Sequence, residues 1–421
     1  MSPTMTTATS SVSLPAESHA GLAIIDLALL TGGFDGAYAF DLAMSLVERG
    51  VRMDVIGSDE VDRPEWHATP AVRFLNLQGS RRLDVGLLTK IGRVLRYYLR
   101  LMRYALTAKP KIFHVLWNGK LQHFDRTFLM LYYKSLGKKV VFHAHNVNAA
   151  KRDGVDTALN RLTLKSQYRL ANHIFVHTAK MKEELQQDFG VVLDAVTVIP
   201  HGVNNAVPDT DLTSAEARQR LGLAASDKAI LFFGNIGPYK GLDLLIAAFQ
   251  RLVAADPSYC LIIAGKARGG TGEYLDEIRR SIADPASRGR ILPKIEYIPD
   301  EENEVYFKAA DVLALPYREI YQSGVLFLGY SFGLPVVATD VGSFREDVRE
   351  GETGFLCAPN DPTELAKALQ TFFESTLYRN LDVCRQQIRD YVRRGHSWDT
   401  VGGIIRDAYD RLLNPDSASP S

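Results

Sequence analysis

Short β-branched runs alternate with longer helical patterns along this chain, and the alternation halts once and then restarts. Residues 22–27 predict a strand and 36–49 a helix, with Ala39, Leu42, Ala43 and Leu46 on one face. Strands are expected next at 51–56, 111–116, 140–143, 173–177 and 195–199. Residues 200–213, rich in Pro, Gly, Asn and Asp, interrupt the rhythm and predict a linker. Thr213 with Glu216 three residues on predicts a capping box that opens a new helix. Strands then recur at 228–233, 260–264, 295–298, 311–315 and 336–339, with a helix at 241–253. Strands joined by helical crossovers mean parallel sheets covered on both faces, with ligands at the carboxyl ends of strands. The fold class is therefore α/β: two Rossmann-like domains facing a central cleft. The expected boundaries are a disordered tail at 1–20, a first domain at 21–205 and a second at 206–395. A last segment, 396–421, holds a terminal helix that returns to the first domain.

Composition narrows the class of function. The 421 residues include 49 Lys+Arg and 49 Asp+Glu, so the formal charge is zero and wholesale nucleic-acid coating is not expected. That zero is a cancellation, because residues 1–205 hold 25 basic and 18 acidic side chains and the remainder the reverse excess. Three scattered cysteines, Cys260, Cys357 and Cys384, form no C-x-x-C pair and suit a reducing compartment. The first twenty residues lack the basic start and apolar run of a signal peptide, and no stretch is long and apolar enough to span a bilayer.

Three stretches carry chemistry. Thr31-Gly-Gly-Phe-Asp-Gly36 leaves the first strand and opens a helix, where glycines let backbone approach a ligand and the helix start favours anions. Gly234-Asn-Ile-Gly-Pro-Tyr-Lys-Gly241 repeats the arrangement in the second domain, with Lys240 suited to a phosphate. Pro316 to Thr339 holds Glu319 in a loop, Ser323 as an expected helix N-cap with Gly324 and Val325 behind it, and a Gly333-Leu-Pro335 helix stop. Asp209-Thr-Asp211 falls in the linker, so no metal site is assigned to it. Arg93, Arg96, Arg100 and Arg103 recur at helical spacing within 90–111, predicting a basic face for anionic lipid or acceptor. Val94, Leu95, Tyr98, Leu99, Met102 and Leu106 are expected to line the opposite, packed side.

In their joint order, the two glycine loops, Lys240-Gly241, Val198-Ile-Pro-His-Gly-Val-Asn204, Gly333-Leu-Pro-Val-Val-Ala-Thr339 and Gly351-Glu-Thr-Gly-Phe355 resemble the family 4 retaining glycosyltransferases. These are glycosyl transferases of group 1, with the GT-B fold. The resemblance covers 21–413 and implies metal-independent transfer of a sugar from a nucleotide-diphosphate sugar to a glycan or lipid-linked acceptor, with no cofactor. It implies an acceptor role for the first domain, a donor role for the second, and a cytoplasmic protein peripheral to the inner membrane face, in polysaccharide assembly. Gly32, Gly33, Gly234, Asn235, Lys240, Ser323, Gly324 and Val325 match donor-binding positions. His145 and Lys240 match catalytic ones, and Glu319, one residue early for the family's first glutamate, is the third catalytic candidate. Asn235 stands where the family usually has arginine, and Ile320 and Leu328 stand where it has a glutamate pair. Two alternatives stand beside this reading: a non-catalytic partner subunit, which these departures suggest, and a nucleotide-sugar epimerase on the same fold.

Overall fold

The computed structural model describes residues 24–80, 86–202 and 209–415. The tail expected at 1–20 and the middle of the 200–213 linker lie outside them. Seven strands make the first sheet: β1 (Ile25–Leu30), β2 (Val51–Gly57), β3 (Val72–Asn76), β4 (Ile112–Val115), β5 (Lys139–His143), β6 (His173–Val176) and β7 (Val196–Val198). They are all parallel, in the order β3-β2-β1-β4-β5-β6-β7. Six strands make the second: β8 (Lys228–Phe233), β9 (Tyr259–Ala264), β10 (Ile291–Lys294), β11 (Val312–Leu315), β12 (Val336–Thr339) and β13 (Gly354–Cys357). Their order is β10-β9-β8-β11-β12-β13, again all parallel.

Order reverses beside β1 in one sheet and beside β8 in the other, and the crevice at such a point is where parallel sheets hold ligands. Leu30 pairs with both Ile56 and Val115, so β1, β2 and β4 end level and their loops emerge together. The central strands are buried on both faces, as their continuous apolar runs require.

Five helices position the site: α1 (Gly36–Val47), α2 (Leu87–Thr107), α3 (Leu242–Ala255), α4 (Gly324–Ser331) and α5 (Trp398–Leu413). Thr213 and Glu216 form the expected capping box at the start of the second domain. Some sequence expectations shift. The first strand starts three residues later than predicted, and β3 and β13 had no strong pattern. The strand expected at 295–298 is absent, and β10 stands just before it as an edge strand, where Pro293 is tolerated.

The terminal helix is part of the first domain's core. Val401, Ile405, Ala408 and Tyr409 of α5 pack with Leu27 and Leu29 of β1 and Leu42 of α1. Tyr409 Oη lies 2.6 Å from His114 Nδ1 on β4. The contact is close because Gly402 has no side chain: a Cβ there would sit 2.7 Å from Ser45 Oγ and 3.0 Å from the Ser45 carbonyl of α1. Opposite, the domains meet through Arg268 and Asp153 at 2.7 Å and through Tyr321, which donates to Glu184 at 3.0 Å. Gly402→Val should destabilise the protein by about 1–3 kcal/mol through overpacking. Chemical denaturation followed by fluorescence checks this, and an unchanged midpoint would mean that α5 does not seat against α1 in solution.

Candidate active site

The loop after β8 is shaped by two glycines in left-handed conformations, Gly234 at φ 101° and Gly241 at φ 64°. A Cβ on Gly241 would lie 2.0 Å from the Pro316 carbonyl oxygen, so only glycine lets the chain pass there. The passage turns Lys240 inward. It is 7% exposed, its ammonium donates to Tyr317 Oη at 2.7 Å, and it lies 4.5 Å above the Tyr317 ring. Among the described residues Lys240 makes no ion pair. Burial lowers its pKa, and nearby Arg152 pushes the same way against Tyr239. Burial also raises the Tyr317 pKa, so Lys240 faces a neutral hydroxyl.

This ammonium borders a cavity of about 730 Å³ between the domains. Gly234, Asn235, Gly324, Val325 and Leu328 line it from the second domain, and Phe34, Asp35 and Tyr38 from the first. Lys240 and the start of α4 are thus brought together as expected. Ser323 does begin α4, but its side chain caps no amide and lies 3.4 Å from Tyr317 Oη instead. Gly32 and Gly33, both left-handed, do not line the cavity; they turn the chain beneath Trp117 so that Phe34 and Asp35 reach the mouth.

Two assignments are separated from this cavity. Glu319 is exposed and lines a different groove, with Lys180, Glu184 and Arg345, because the loop before Tyr321 turns outward. His145 borders an adjoining pocket of about 300 Å³ with Trp117 and Asn146, on the far side of Tyr38. Its ring stacks on Trp117 at 4.4 Å and meets the Tyr38 ring edge-on at 5.1 Å.

Sequence reasoning missed several contributors. Lys266 lines the cavity and adds a second cation near the position where Asn235 replaces arginine. Its location two residues beyond β9 was the available signal. Asn303 lines the same space with its side-chain oxygen buried and unpartnered, beside Tyr297. Tyr38 and His201 form the floor, their rings 5.5 Å apart.

The basic helix differs from its expectation. Its buried face is Tyr98, Leu101 and Ala105, whereas Leu88, Ile91, Leu95, Leu99 and Leu106 are exposed. Arg96, Arg100 and Arg103 are exposed beside this apolar stripe, and Arg93 is half-buried near the Ser80 carbonyl. The solvent face of α2 is therefore apolar as well as basic.

Two parallel-sheet α/β domains with the ligand crevice between them define a GT-B protein. Residues 36–207 match the family described as Glycosyltransferase Family 4 and residues 227–375 that described as Glycosyl transferases group 1. The chain belongs to this group 1/family 4 glycosyltransferase family. It is similar to a D-inositol 3-phosphate glycosyltransferase of Acidothermus cellulolyticus, 29% identical over 246 residues, 56% of this chain and 54% of that one. The chain spans about half the length of the curated relatives it matches. The fold is that of sucrose-phosphate synthase from Thermosynechococcus elongatus, with TM-score 0.75, 19% identity, and 93% of this chain and 100% of that one covered. HepE of Anabaena, solved in complex with UDP-glucose, gives TM-score 0.70 and 18% identity over 92% of this chain and 100% of that one.

Burial sets a pH dependence. It lowers His114 and His145 from 6.5 to about 3, and neighbouring histidines add to the effect. An unfolded chain takes up these protons below pH 6.5 while the folded one does not, so stability is lost as pH falls from 6.5 towards 3. Asp125 and Asp347, raised by burial to about 6 and about 7, act oppositely over part of that window. The difference between variants isolates the histidine. Between pH 6 and 4, His114→Asn should flatten the pH slope of unfolding free energy by about 1 kcal/mol per unit. Urea titrations at several pH values check it, and parallel slopes would refute it.

Proposed function

We propose that the protein is a retaining glycosyltransferase that moves a sugar from a nucleotide-diphosphate sugar to a glycan or lipid-linked acceptor. The observation that carries this is Lys240, a buried cation without an ion-pair partner at the edge of a cavity large enough for such a donor. A diphosphate in the cavity would supply the missing counter-charge. Lys266 and the amides at the start of α4 would share it.

On this reading the anomeric carbon–oxygen bond breaks with its electron pair passing to the diphosphate, through an oxocarbenium-like state. Negative charge grows on the leaving group where Lys240 can stabilise it. The acceptor oxygen attacks from the side the diphosphate leaves, which retains configuration, and its proton passes to a departing phosphate oxygen. This route uses no carboxylate pair at glycosidase spacing, and it gives the cations the charge-neutralising role, without a metal. The second domain holds the donor, and the first faces the acceptor, with His145 in the pocket that adjoins the donor cavity. A fold neighbour solved with UDP-glucose supports the donor class, and a relative named as a lipopolysaccharide core biosynthesis mannosyltransferase supports the acceptor class.

Lys240→Met should lower turnover by about a hundredfold or more. It should also reduce the thermal shift given by a panel of UDP, GDP and ADP sugars. Stability should hold or rise, since an unpaired buried charge is removed. Unchanged turnover and shifts would sink the assignment.

The exposed stripe of α2 supports docking at an anionic membrane face, consistent with a lipid-linked acceptor. No helix among the described residues is long and apolar enough to cross a membrane. Each cation near such a surface contributes about 1 kcal/mol, so replacing Arg96, Arg100 and Arg103 with Gln should weaken vesicle binding roughly a hundredfold. Co-sedimentation with phosphatidylglycerol vesicles that is indifferent to the replacement would remove this part of the reading.

A further inference from the structure

Behind Tyr38, on the first domain's side, three histidines cluster with one ring nitrogen each drawn close together. His143 ends β5, His145 lies two residues on, and His177 follows β6. His177 Nε2 is 3.3 Å from His143 Nε2 and 3.3 Å from His145 Nδ1. The three atoms lie within 4.8 Å of one another.

Hydrogen bonding cannot satisfy all three contacts at once, because each ring nitrogen offers one proton or one lone pair. Burial keeps the Tyr38 hydroxyl protonated, and it lies 3.0 Å from His143 Nε2, to which it can donate. When it donates there, His143 Nε2 carries no proton, and a bond between it and His177 requires the proton of His177 Nε2. The same single proton is needed towards His145 if His145 Nδ1 is also bare. If His145 Nδ1 carries a proton instead, the lone pairs of His143 and His177 face each other. The far nitrogens His143 Nδ1 and His145 Nε2 are buried without partners. The point is rich in lone pairs and short of protons.

We propose that His143, His145 and His177 form a binding site for a divalent transition-metal ion of the zinc type. Zinc–imidazole bonds of about 2.0–2.1 Å in a tetrahedral set place neighbouring nitrogens about 3.3–3.4 Å apart, the spacing of both His177 contacts. Imidazole nitrogen suits such ions. The rings of His143 and His145 are stacked, 4.4 Å apart and 8° from parallel. Closing the third edge therefore requires one of them to rotate about its Cβ–Cγ bond, and the Tyr38 hydroxyl stands beside the set. An ion here would join the ends of β5 and β6 and is separate from the chemistry assigned to Lys240.

The test uses the tag-free full chain, stripped with chelator and dialysed against zinc, with bound metal counted by mass spectrometry. Cobalt replacing zinc gives an absorption spectrum that reports coordination. The expected result is one ion per chain, the intense visible band of tetrahedral cobalt, and binding weaker by about tenfold or more in His143→Gln and in His177→Gln. Circular dichroism confirms that these variants are folded, and titration of the unaltered chain stands alone if either is not. Absence of stoichiometric metal overturns the proposal, as does equal binding by two folded variants, which would place the ion elsewhere.

Discussion

An ammonium group buried without a counter-charge is the constraint around which the second domain's ligand face is organised. Taking a charge out of water costs several kcal/mol, and a single hydrogen bond to a neutral hydroxyl returns only about 1.5–3. The Lys240–Tyr317 contact therefore leaves a deficit that an anion in the cavity would remove. The fold maintains that deficit with rigid parts. Gly241 passes under the Pro316 carbonyl, Tyr317 extends directly from the strand end at Leu315, and Thr339 donates to the Tyr317 carbonyl at 2.6 Å. A lysine on a mobile surface loop would collapse onto solvent instead. Here the sheet and the glycine turn hold it in place before any ligand arrives, which is how preorganised charge gains its strength.

How much of this was legible in the sequence depends on the range of the interaction concerned. Alternation of strand and helix, the capping box at Thr213 and the terminal helix Trp398–Leu413 are local patterns, and they appear where the sequence places them. Lys240 with Gly241 was also legible, because a glycine on each side of a short loop has few other reasons to recur. Contacts set by tertiary structure were not. Nothing near Lys240 in the chain announces Tyr317, 77 residues away, and nothing near His145 announces Tyr38 or His177. Glu319 fails for a related reason: one residue of register before a turn decides which groove a side chain enters.

The face of α2 shows a different limit. A helix with apolar residues on two sides can be packed on either, and periodicity does not say which. The sheet selects Tyr98, Leu101 and Ala105, and the leucines between the arginines stay outside. The positive excess of the first domain thus sits partly on an apolar surface, whereas its interior holds histidines kept neutral by burial.

The return of α5 to the first sheet bears on how the protein is made. During synthesis β1 to β7 leave the ribosome long before residues 398–413 exist, yet Leu27, Leu29 and Leu42 need Val401, Ile405 and Tyr409 to complete their packing. At about 5–20 residues per second, roughly 10–40 s separate the two. Throughout that interval the nascent first domain exposes an apolar groove as long as the missing helix. Its last element is supplied only after the whole second domain has been made, so it is the second domain, though later in sequence, that can close its own core first.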